Sequence, residues 1–285
     1  MTTYDLHISL ISPLHIGTGR ELRKEFDFIT ARGRTYRMDE DAILEDHIER
    51  IQPDGFGKYP TLGRILADSG DISNKKYYRY FLKGVPRSGR TDARLQECIK
   101  DINDNPYIPG SSIKGALRTA LAWSGWQEED IKLSENSLNR SKFWAGQKLE
   151  RQIFGKDPNH DLLRALRISD CTSTNARSNL VVANAQVLTR KDHGSPIELE
   201  SVGGDAIFSG TVTLDEFLFS NQAQKLGFSQ KRDWLSTLLV RAQTHSRVRL
   251  EAMNAWFAGI ERGERVLKFI SQLLAFDAQP NQALV

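Results

Sequence analysis

The sequence predicts an α+β protein in which an antiparallel sheet packs against helices. Segments with the period of strands and segments with the period of helices are mixed along the whole chain. Consecutive strand-like segments are joined by short turns, which favours antiparallel pairing over a parallel, doubly wound sheet. The 285 residues, of which 39% are hydrophobic and 26% charged, suffice for one large or two modest domains with a buried core.

The first part of the chain predicts a strand, a hairpin and a helix, in that order. Residues 4–12 alternate with the period of a half-buried strand. Residues 26–29 and 35–38 predict a hairpin that turns at residues 31–34. Apolar residues then recur at helical spacing, which predicts a helix over residues 40–51.

Residues 66–104 lose this periodicity and predict an insertion or a long loop. The overlapping stretch 75–118 holds ten Lys or Arg residues against four Asp or Glu residues. Its cations are interleaved with the aromatic residues Tyr77, Tyr78, Tyr80 and Phe81. This mixture suits the neutralisation of phosphates and the stacking of bases. A solvated basic face beside core aromatics explains the pattern equally well, so both interpretations stay open.

The later elements follow from the same two periods. Ile113, Leu117 and Leu121 form an apolar stripe and mark the clearest helix of the chain. The turn Gly203-Gly204-Asp205 predicts a hairpin between the two strands beside it. Further helices are predicted over residues 142–153, 229–242 and 251–275, and strands over residues 166–170 (an edge strand), 179–189 (two short strands), 197–202 and 206–214.

The first candidate binding motif is Leu14-His15-Ile16-Gly17-Thr18-Gly19-Arg20, a glycine-rich loop directly after the first strand. Gly17 and Gly19 let backbone N–H groups approach a phosphate or base closely, and Arg20 adds a positive charge. The motif completes neither a Walker loop nor a dinucleotide fingerprint. His15 is a candidate general acid or base, although a hydrogen-bonded structural role is more common for a histidine beside a turn.

The second candidate motif is Tyr107-Ile108-Pro109-Gly110-Ser111-Ser112-Ile113-Lys114-Gly115-Ala116-Leu117-Arg118, in which Ser111 or Ser112 is the predicted N-cap of a helix. The unpaired N–H groups of the first turn and the helix dipole favour an anion there. Lys114 and Arg118 are four residues apart and share a face of the helix. This face is predicted to hold the phosphates of a nucleic acid. A capped core helix with two solvated cations is the open alternative.

Other residue patterns give weaker signals. Glu198 and Glu200 share a strand face without a third ligand at suitable spacing, so solvated side chains are predicted in preference to a metal site. Cys98 and Cys171 are expected to be buried free thiols, and no metal or cofactor is predicted. The sequence shows neither a run of about 18 uncharged apolar residues nor a charged-then-apolar leader, so we expect a cytoplasmic protein with no membrane partner.

The two motifs together resemble the RAMP superfamily of CRISPR proteins. Residues 14–19 and 107–118 carry the likeness, and Pro-Gly-Ser-Ser-Ile-Lys-Gly-Ala-Leu-Arg is its most specific part. The likeness extends over about residues 4–215. Four further segments are similar to the fifth Csm subunit of type III-A effector complexes, namely residues 26–29, 36–39, 151–155 and 166–170.

The resemblance implies a ferredoxin-like, RRM-related core that binds CRISPR RNA toward its 3′ end and caps a row of neighbouring RAMP backbone subunits. On this basis, residues 1–220 are the RNA-binding core, with a basic insertion near 66–104, and residues 221–285 are a mainly helical region. Members commonly end with another glycine-rich loop and strand. This sequence stops at Val285 without one, which leaves truncation, divergence or completion by a partner open. The predicted RNA contacts are His15, Gly17, Gly19, Arg20, Gly110, Ser111, Ser112, Lys114 and Arg118.

The predicted function is that of a non-catalytic RNA-binding subunit of a type III effector ribonucleoprotein, which supports guide maturation and antiviral defence. Related subunits that cut target RNA carry an acidic residue after the early glycines, but Glu21, Glu25 and Asp27 sit in a strand-like context here. One alternative is a RAMP-type endoribonuclease that processes CRISPR RNA with His15 and Lys114. The other is a protein-only adaptor that recruits a cellular nuclease. A cellular nuclease is therefore also a candidate partner.

Overall fold

A computed structural model describes residues 1–88, 93–132, 134, 137–186, 196–228, 231–260, 263–276, 278–279 and 281–285. Contacts between residues divide the chain into two compact units. Unit 1 contains Met1–Leu6, Pro109–Asp170 and Gly210–Val285, and unit 2 contains His7–Ile108 and Cys171–Ser209. The division expected at residue 220 does not coincide with the limits of these units.

The described residues form strands and helices in mixed order, which confirms the predicted α+β class. The strands are β1 (Thr2–Ser9), β2 (Gly17–Arg23), β3 (Phe28–Ala31), β4 (Arg34–Met38), β5 (Tyr78–Lys83), β6 (Arg94–Cys98), β7 (Leu166–Ile168), β8 (Leu180–Ala185), β9 (Ile197–Val202) and β10 (Ile207–Leu214). The α-helices are α1 (Glu40–Asp46), α2 (Leu62–Ser69), α3 (Gly110–Glu128), α4 (Gln147–Phe154), α5 (Asn221–Lys225), α6 (Arg232–Ser236), α7 (Leu238–Phe257) and α8 (Glu264–Leu274).

Unit 2 is built around a seven-stranded sheet with the order β2-β6-β9-β8-β5-β4-β3. The hairpin of β3 and β4 lies at one edge, as predicted, and β2 lies at the other edge. Most neighbours are antiparallel, whereas β5 pairs with β8, and β6 with β9, in parallel. On one face of β3 and β4, the buried side chains of Ile29 and Met38 pack with Ile43 of α1 and Leu66 of α2.

The prediction of a long loop over residues 66–104 is wrong for the described part of that segment. β5 lies inside the sheet between β4 and β8, and β6 lies between β2 and β9. Tyr80 and Leu82 are buried on one face of β5, while Phe81 and Lys83 on the other face are exposed. The cations at outward positions hide the strand period in the sequence. Residues 89–92, which include Arg90 of the basic stretch, lie outside the described residues.

The predicted hairpin over residues 197–214 is also wrong. β9 pairs with β8 and β6 in the seven-stranded sheet, whereas β10 belongs to a three-stranded sheet with the order β1-β10-β7. Both edges of β9 are already paired, so the turn at residues 203–205 leads out of the sheet instead of folding back along it. β8 is one strand where two were predicted, and residues 187–189 of that prediction lie outside the described residues.

Unit 1 has a helical core that is held together by α3. Leu117 and Leu121 of α3 pack in one apolar cluster with Trp234, Leu238 and Ala242. α7 runs unbroken from Leu238 to Phe257, although the sequence predicts a break after residue 242. Polar residues between 243 and 250 weaken the apolar pattern there, but no Gly or Pro interrupts the helix. Residues 229–230 and 261–262 of the predicted helices lie outside the described residues.

Candidate nucleic-acid interface

The glycine-rich motif of unit 2 is the start of an edge strand and not a loop. Gly17 pairs with Cys98 of β6, and the register between the two strands shifts before Glu21. Gly19 lies within this shift with a φ of 84°, in the left-handed region that glycine adopts without strain. The prediction of a loop is therefore corrected to a bulged strand, in which Gly19 supplies the local kink.

This bulge leaves backbone and side chains open to solvent. Gly17, Thr18, Gly19 and Arg20 are all exposed. A Cβ atom placed on Gly19 would meet no other atom within 4 Å, so another molecule could approach this backbone closely. The Arg20 guanidinium donates a hydrogen bond to Asp27 Oδ1 at 2.8 Å, while 54% of the Arg20 side chain stays exposed.

His15 is anchored to the same sheet by its ring. Its Nδ1 lies 2.7 Å from the carbonyl oxygen of Glu200, and because a carbonyl only accepts, this nitrogen carries the proton. The half-buried ring is also close to Gly17, where a Cβ atom would lie 3.0 Å from His15 Nε2. Among the described residues, these contacts bring no second acid or base to the ring. The arrangement matches a structural histidine.

The second motif begins α3 of unit 1, but its cap differs from the prediction. The helix starts at Gly110 with Pro109 as N-cap, so the prediction of Ser111 or Ser112 as N-cap is wrong. The Gly110 N–H donates to Asp170 Oδ1 at 2.8 Å, and this carboxylate also complements the helix dipole. Gly110 is buried, and a Cβ atom there would overlap the carbonyl oxygen of Ile168.

Lys114 and Arg118 do share a face of α3, but both are engaged within unit 1. Lys114 Nζ donates to the carbonyl oxygen of Leu166 at 2.8 Å, and burial lowers the pKa of Lys114. Arg118 donates to Asp161 at 2.8 Å and to Glu150 at 2.9 Å. Burial opposes the charge on Arg118, but these two carboxylates outweigh it and raise its pKa. Neither cation is the freely solvated side chain of the alternative interpretation.

A different face of α3 is exposed to solvent. Five small residues that are all exposed form it, and we call it the α3 small face: Ser111, Ser112, Gly115, Ala116 and Thr119. A Cβ atom on Gly115 would meet nothing within 4 Å, so the packing of the chain does not require glycine there. Glycine inside a helix costs about 1 kcal/mol relative to alanine. A glycine at an inner position of a predicted helix therefore indicates a role other than helix stability, and this signal could have identified Gly115 in the sequence.

The acidic pair of β9 is buried, which corrects the prediction of solvated side chains. Glu200 is 0% exposed, and its Oε2 accepts hydrogen bonds from Lys100 Nζ at 2.6 Å and from the Cys98 N–H at 2.9 Å. Glu198 accepts from the Arg87 N–H at 2.9 Å. Burial, together with the charge of Glu200, raises the pKa of Tyr80. The pair is therefore part of the hydrogen-bonded interior of unit 2.

Cys98 and Cys171 are buried free thiols, as predicted. Within the part of the chain that the structure describes, no three His, Cys, Asp or Glu side chains cluster so as to hold a metal ion. None of the helices in that part is long and apolar enough to cross a membrane.

Known proteins resemble this chain in both sequence and fold. A family model described as the RAMP superfamily matches residues 7–239. A protein named "CRISPR system Cms protein Csm5" from Methanocaldococcus jannaschii is 25% identical over 236 residues, which cover 79% of this chain and 56% of the relative. A protein of the same name from Streptococcus thermophilus is 24% identical over 241 residues, which cover 75% of this chain and 65% of the relative. The chain thus spans less than two thirds of the length of either curated relative.

Two solved structures share the fold. The crystal structure of T. onnurineus Csm5 superposes with a TM-score of 0.72 and 19% identity, covering 96% of this chain and 88% of that one. The second is a chain from a cryo-EM structure of a Csm–crRNA–target RNA ternary complex of a type III-A CRISPR-Cas system. It superposes with a TM-score of 0.67 and 18% identity, covering 96% of this chain and 82% of that one. The resemblance that the two sequence motifs indicate is confirmed.

Proposed function

Because the chain belongs to the RAMP superfamily, we propose that it is a non-catalytic, RNA-binding subunit of a type III-A CRISPR effector ribonucleoprotein. In this role it binds CRISPR RNA on the 3′ side of the guide, caps the row of RAMP backbone subunits and supports guide maturation and antiviral defence. Its partners are CRISPR RNA and neighbouring RAMP subunits, with a cellular nuclease as a further partner. The names of the curated relatives and of the ternary complex support this assignment.

The α3 small face carries the proposal. A glycine and four other small residues are exposed together on the first turns of a 19-residue helix, where an RNA backbone can approach closely. Ser111 and Ser112 offer hydroxyl groups to phosphates, and the positive end of the helix dipole lies beside them. Lys114 and Arg118 contribute by fixing the helix from its other side through their hydrogen bonds within unit 1.

The exposed bulge of β2 is the second proposed contact. Gly17 and Gly19 present backbone groups, and Arg20 presents a largely exposed guanidinium group. His15 supports this segment from beneath through its bond to Glu200. Contacts of this kind neutralise phosphates without reading bases, so affinity should depend little on guide sequence and fall steeply with salt.

The test is binding of labelled CRISPR RNA by the purified full chain, measured by fluorescence anisotropy at several salt concentrations. Gly115→Leu fills the open space on the α3 small face and should weaken binding by about tenfold or more, equivalent to about 1.4 kcal/mol. Ser271→Leu makes a change of similar size at an exposed position of α8 and should bind as the wild type does. Wild-type protein that does not bind, or a folded Gly115→Leu protein that binds equally well, would overturn the proposal.

The same RNA tests the alternative of a processing nuclease. The proposal expects intact RNA after incubation with and without divalent metal. Cleavage that His15→Ala abolishes would instead assign the ring of His15 to catalysis and make the chain an endoribonuclease.

A further inference from the structure

One face of the seven-stranded sheet is open in unit 2. The register places Arg34 of β4 opposite Lys83 of β5, and Tyr36 opposite Phe81. Alternation therefore puts these four side chains on one face of the sheet. The intervening residues Thr35 and Leu82 are buried on the other face.

Exposure along this face shows where it is open. Arg34 and Lys83 are exposed, and Phe81 keeps 40% of its surface in solvent. The face continues over Val181 and Ala183 of β8, which are only half-buried. At the other end of β4, Met38 is buried under α1 and α2. The open region is thus a patch centred on Phe81, which we call the Phe81 patch: Arg34, Tyr36, Phe81, Lys83, Val181 and Ala183.

Phe81 differs from the other aromatic residues of the basic stretch. The Tyr77 hydroxyl donates to Asp46 at 3.0 Å, and the Tyr78 hydroxyl donates to the carbonyl oxygen of Ile72 at 2.7 Å. Tyr80 is buried on the opposite face of the sheet. These three rings serve the fold of unit 2. Phe81 is instead exposed, and among the described residues of the seven-stranded sheet it is the aromatic side chain with the largest exposed fraction.

Two cations, Arg34 and Lys83, share this face of the sheet with the exposed ring. The guanidinium carbon of Arg34 lies 4.8 Å from the centroid of Phe81, and the ring of Tyr36 lies 6.3 Å from it. Lys83 Nζ makes one long hydrogen bond, of 3.4 Å, to Asn179. Among the described strand residues that the register places on this face, the one acid is Glu21, on the distant strand β2, and it is paired with Arg94 at 2.6 Å. The positive charge of Arg34 and Lys83 is therefore not neutralised by a carboxylate of the described strands on this face.

We infer that the Phe81 patch binds single-stranded RNA, with a base stacked at Phe81 and phosphates held by Arg34 and Lys83. Aromatic side chains in a sheet surface stack unpaired bases, and a guanidinium plane can add to the stack. The charge of the patch complements a phosphate backbone. This inference rests on the proposed function and adds to it a stacking contact with an unpaired base, separate from the α3 small face and the β2 bulge.

The decisive experiment compares substitutions at Phe81 in the full chain. Phe81→Leu keeps an apolar side chain but removes the ring, and Phe81→Trp keeps a stacking surface. With labelled single-stranded RNA, Phe81→Leu should weaken binding by about tenfold, as expected for the loss of one base–aromatic stack, and Phe81→Trp should bind as tightly as the wild type. RNA with 2-aminopurine at successive positions should show quenching at one position in the wild type and not in Phe81→Leu.

The charges are tested by a matched pair of double variants. Arg34→Gln with Lys83→Gln should lower affinity and reduce the salt dependence of binding. Lys58→Gln with Arg64→Gln removes two exposed cations elsewhere in unit 2 and should do neither. Equal RNA binding by wild type and Phe81→Leu, or an equal loss in both double variants, would overturn the inference.

The outcomes separate the two proposals. If wild-type protein binds RNA and only Gly115→Leu weakens it, the Phe81 patch is not an RNA site but the proposed function stands. If wild-type protein binds no RNA, both fall. A patch that binds an acidic protein surface would tolerate Phe81→Leu in the RNA assay, which counts against the inference.

Discussion

The guanidinium carbon of Arg118 lies 4.0 Å from the centroid of the Phe154 ring. Arg118 ends the motif that begins α3, and Phe154 ends α4, within the later segment 151–155 that carries the same family likeness. The two segments are thus joined by direct packing inside unit 1. Phe154 is buried, and Gly155, with a φ of 138°, ends the helix where a side chain would overlap the His160 carbonyl oxygen. This part of the motif stabilises the fold that presents the α3 small face.

Arg118→Ala should therefore lower the free energy of unfolding by about 1–3 kcal/mol, because it removes the stacking on Phe154 and two charge-assisted hydrogen bonds. Arg118→Lys keeps the charge but loses the planar fork, so a smaller loss is expected. Urea denaturation followed by circular dichroism measures both. Full stability combined with lost RNA affinity would contradict the packing role and assign Arg118 to RNA contact.

Lys100→Met should destabilise the protein by about 3–5 kcal/mol, because it leaves the carboxylate of Glu200 buried without its charged partner. Lys100 is 6% exposed and Glu200 is 0% exposed. The double variant Lys100→Met with Glu200→Met should recover much of this loss, since no buried charge remains. Lys132→Met, at an exposed lysine, serves as control and should change stability by less than about 0.5 kcal/mol. Equal effects at Lys100 and Lys132 would contradict the burial argument.

Two glycines of one motif should respond in opposite directions to alanine. Gly110→Ala places a methyl group against the backbone of Ile168 and should cost about 3 kcal/mol or more. Gly115→Ala meets only solvent and should raise the free energy of unfolding by up to about 1 kcal/mol. Thermal unfolding of both variants measures the difference. A loss of stability in Gly115→Ala would show that the chain itself needs glycine there, and the α3 small face would lose its main support.

Local sequence patterns are sufficient to predict some elements of the fold. The hairpin of β3 and β4 is predictable because its turn is encoded in two adjacent residues, Arg32 and Gly33, which both adopt positive φ. The stripe of α3 is predictable because Leu117 and Leu121 face one core. β9 and β10 are not predictable as members of different sheets. β9 pairs with the preceding strand β8 on one edge and with β6, about a hundred residues earlier, on the other, and the sequence does not reveal the second pairing.

The candidate site divides in the same way. The sequence identifies the segments around Gly17 and Gly110 because glycine beside a strand or at the start of a helix indicates that another group approaches the backbone closely. It does not tell whether a cation is solvated. Lys114 and Arg118 look free in the sequence because their partners, Leu166 and Asp161, follow more than forty residues later. Phe81 is hidden for the opposite reason, since three neighbouring aromatics with structural roles share its stretch.

Acid should weaken the protein partly through Asp46. Hydrogen bonds from Lys76 at 2.6 Å and Tyr77 at 3.0 Å hold the pKa of this carboxyl below its usual value. A carboxyl whose folded pKa is depressed contributes stability above the unfolded pKa of about 3.9 and loses it as the pH falls through the folded value. The wild type should therefore lose more stability than Asp46→Asn as the pH falls from about 6 to about 3.

The measurement is the urea midpoint of unfolding at pH 6, 5, 4 and about 3, the range over which such a carboxyl titrates. Lys76→Met removes the first of the two donors and should flatten the pH dependence in the same direction as Asp46→Asn. Combining the two substitutions should add little, because they break one interaction. Parallel pH profiles for the wild type and both single variants would mean that Asp46 titrates alike in the folded and unfolded states, which is incompatible with the hydrogen bonds from Lys76 and Tyr77.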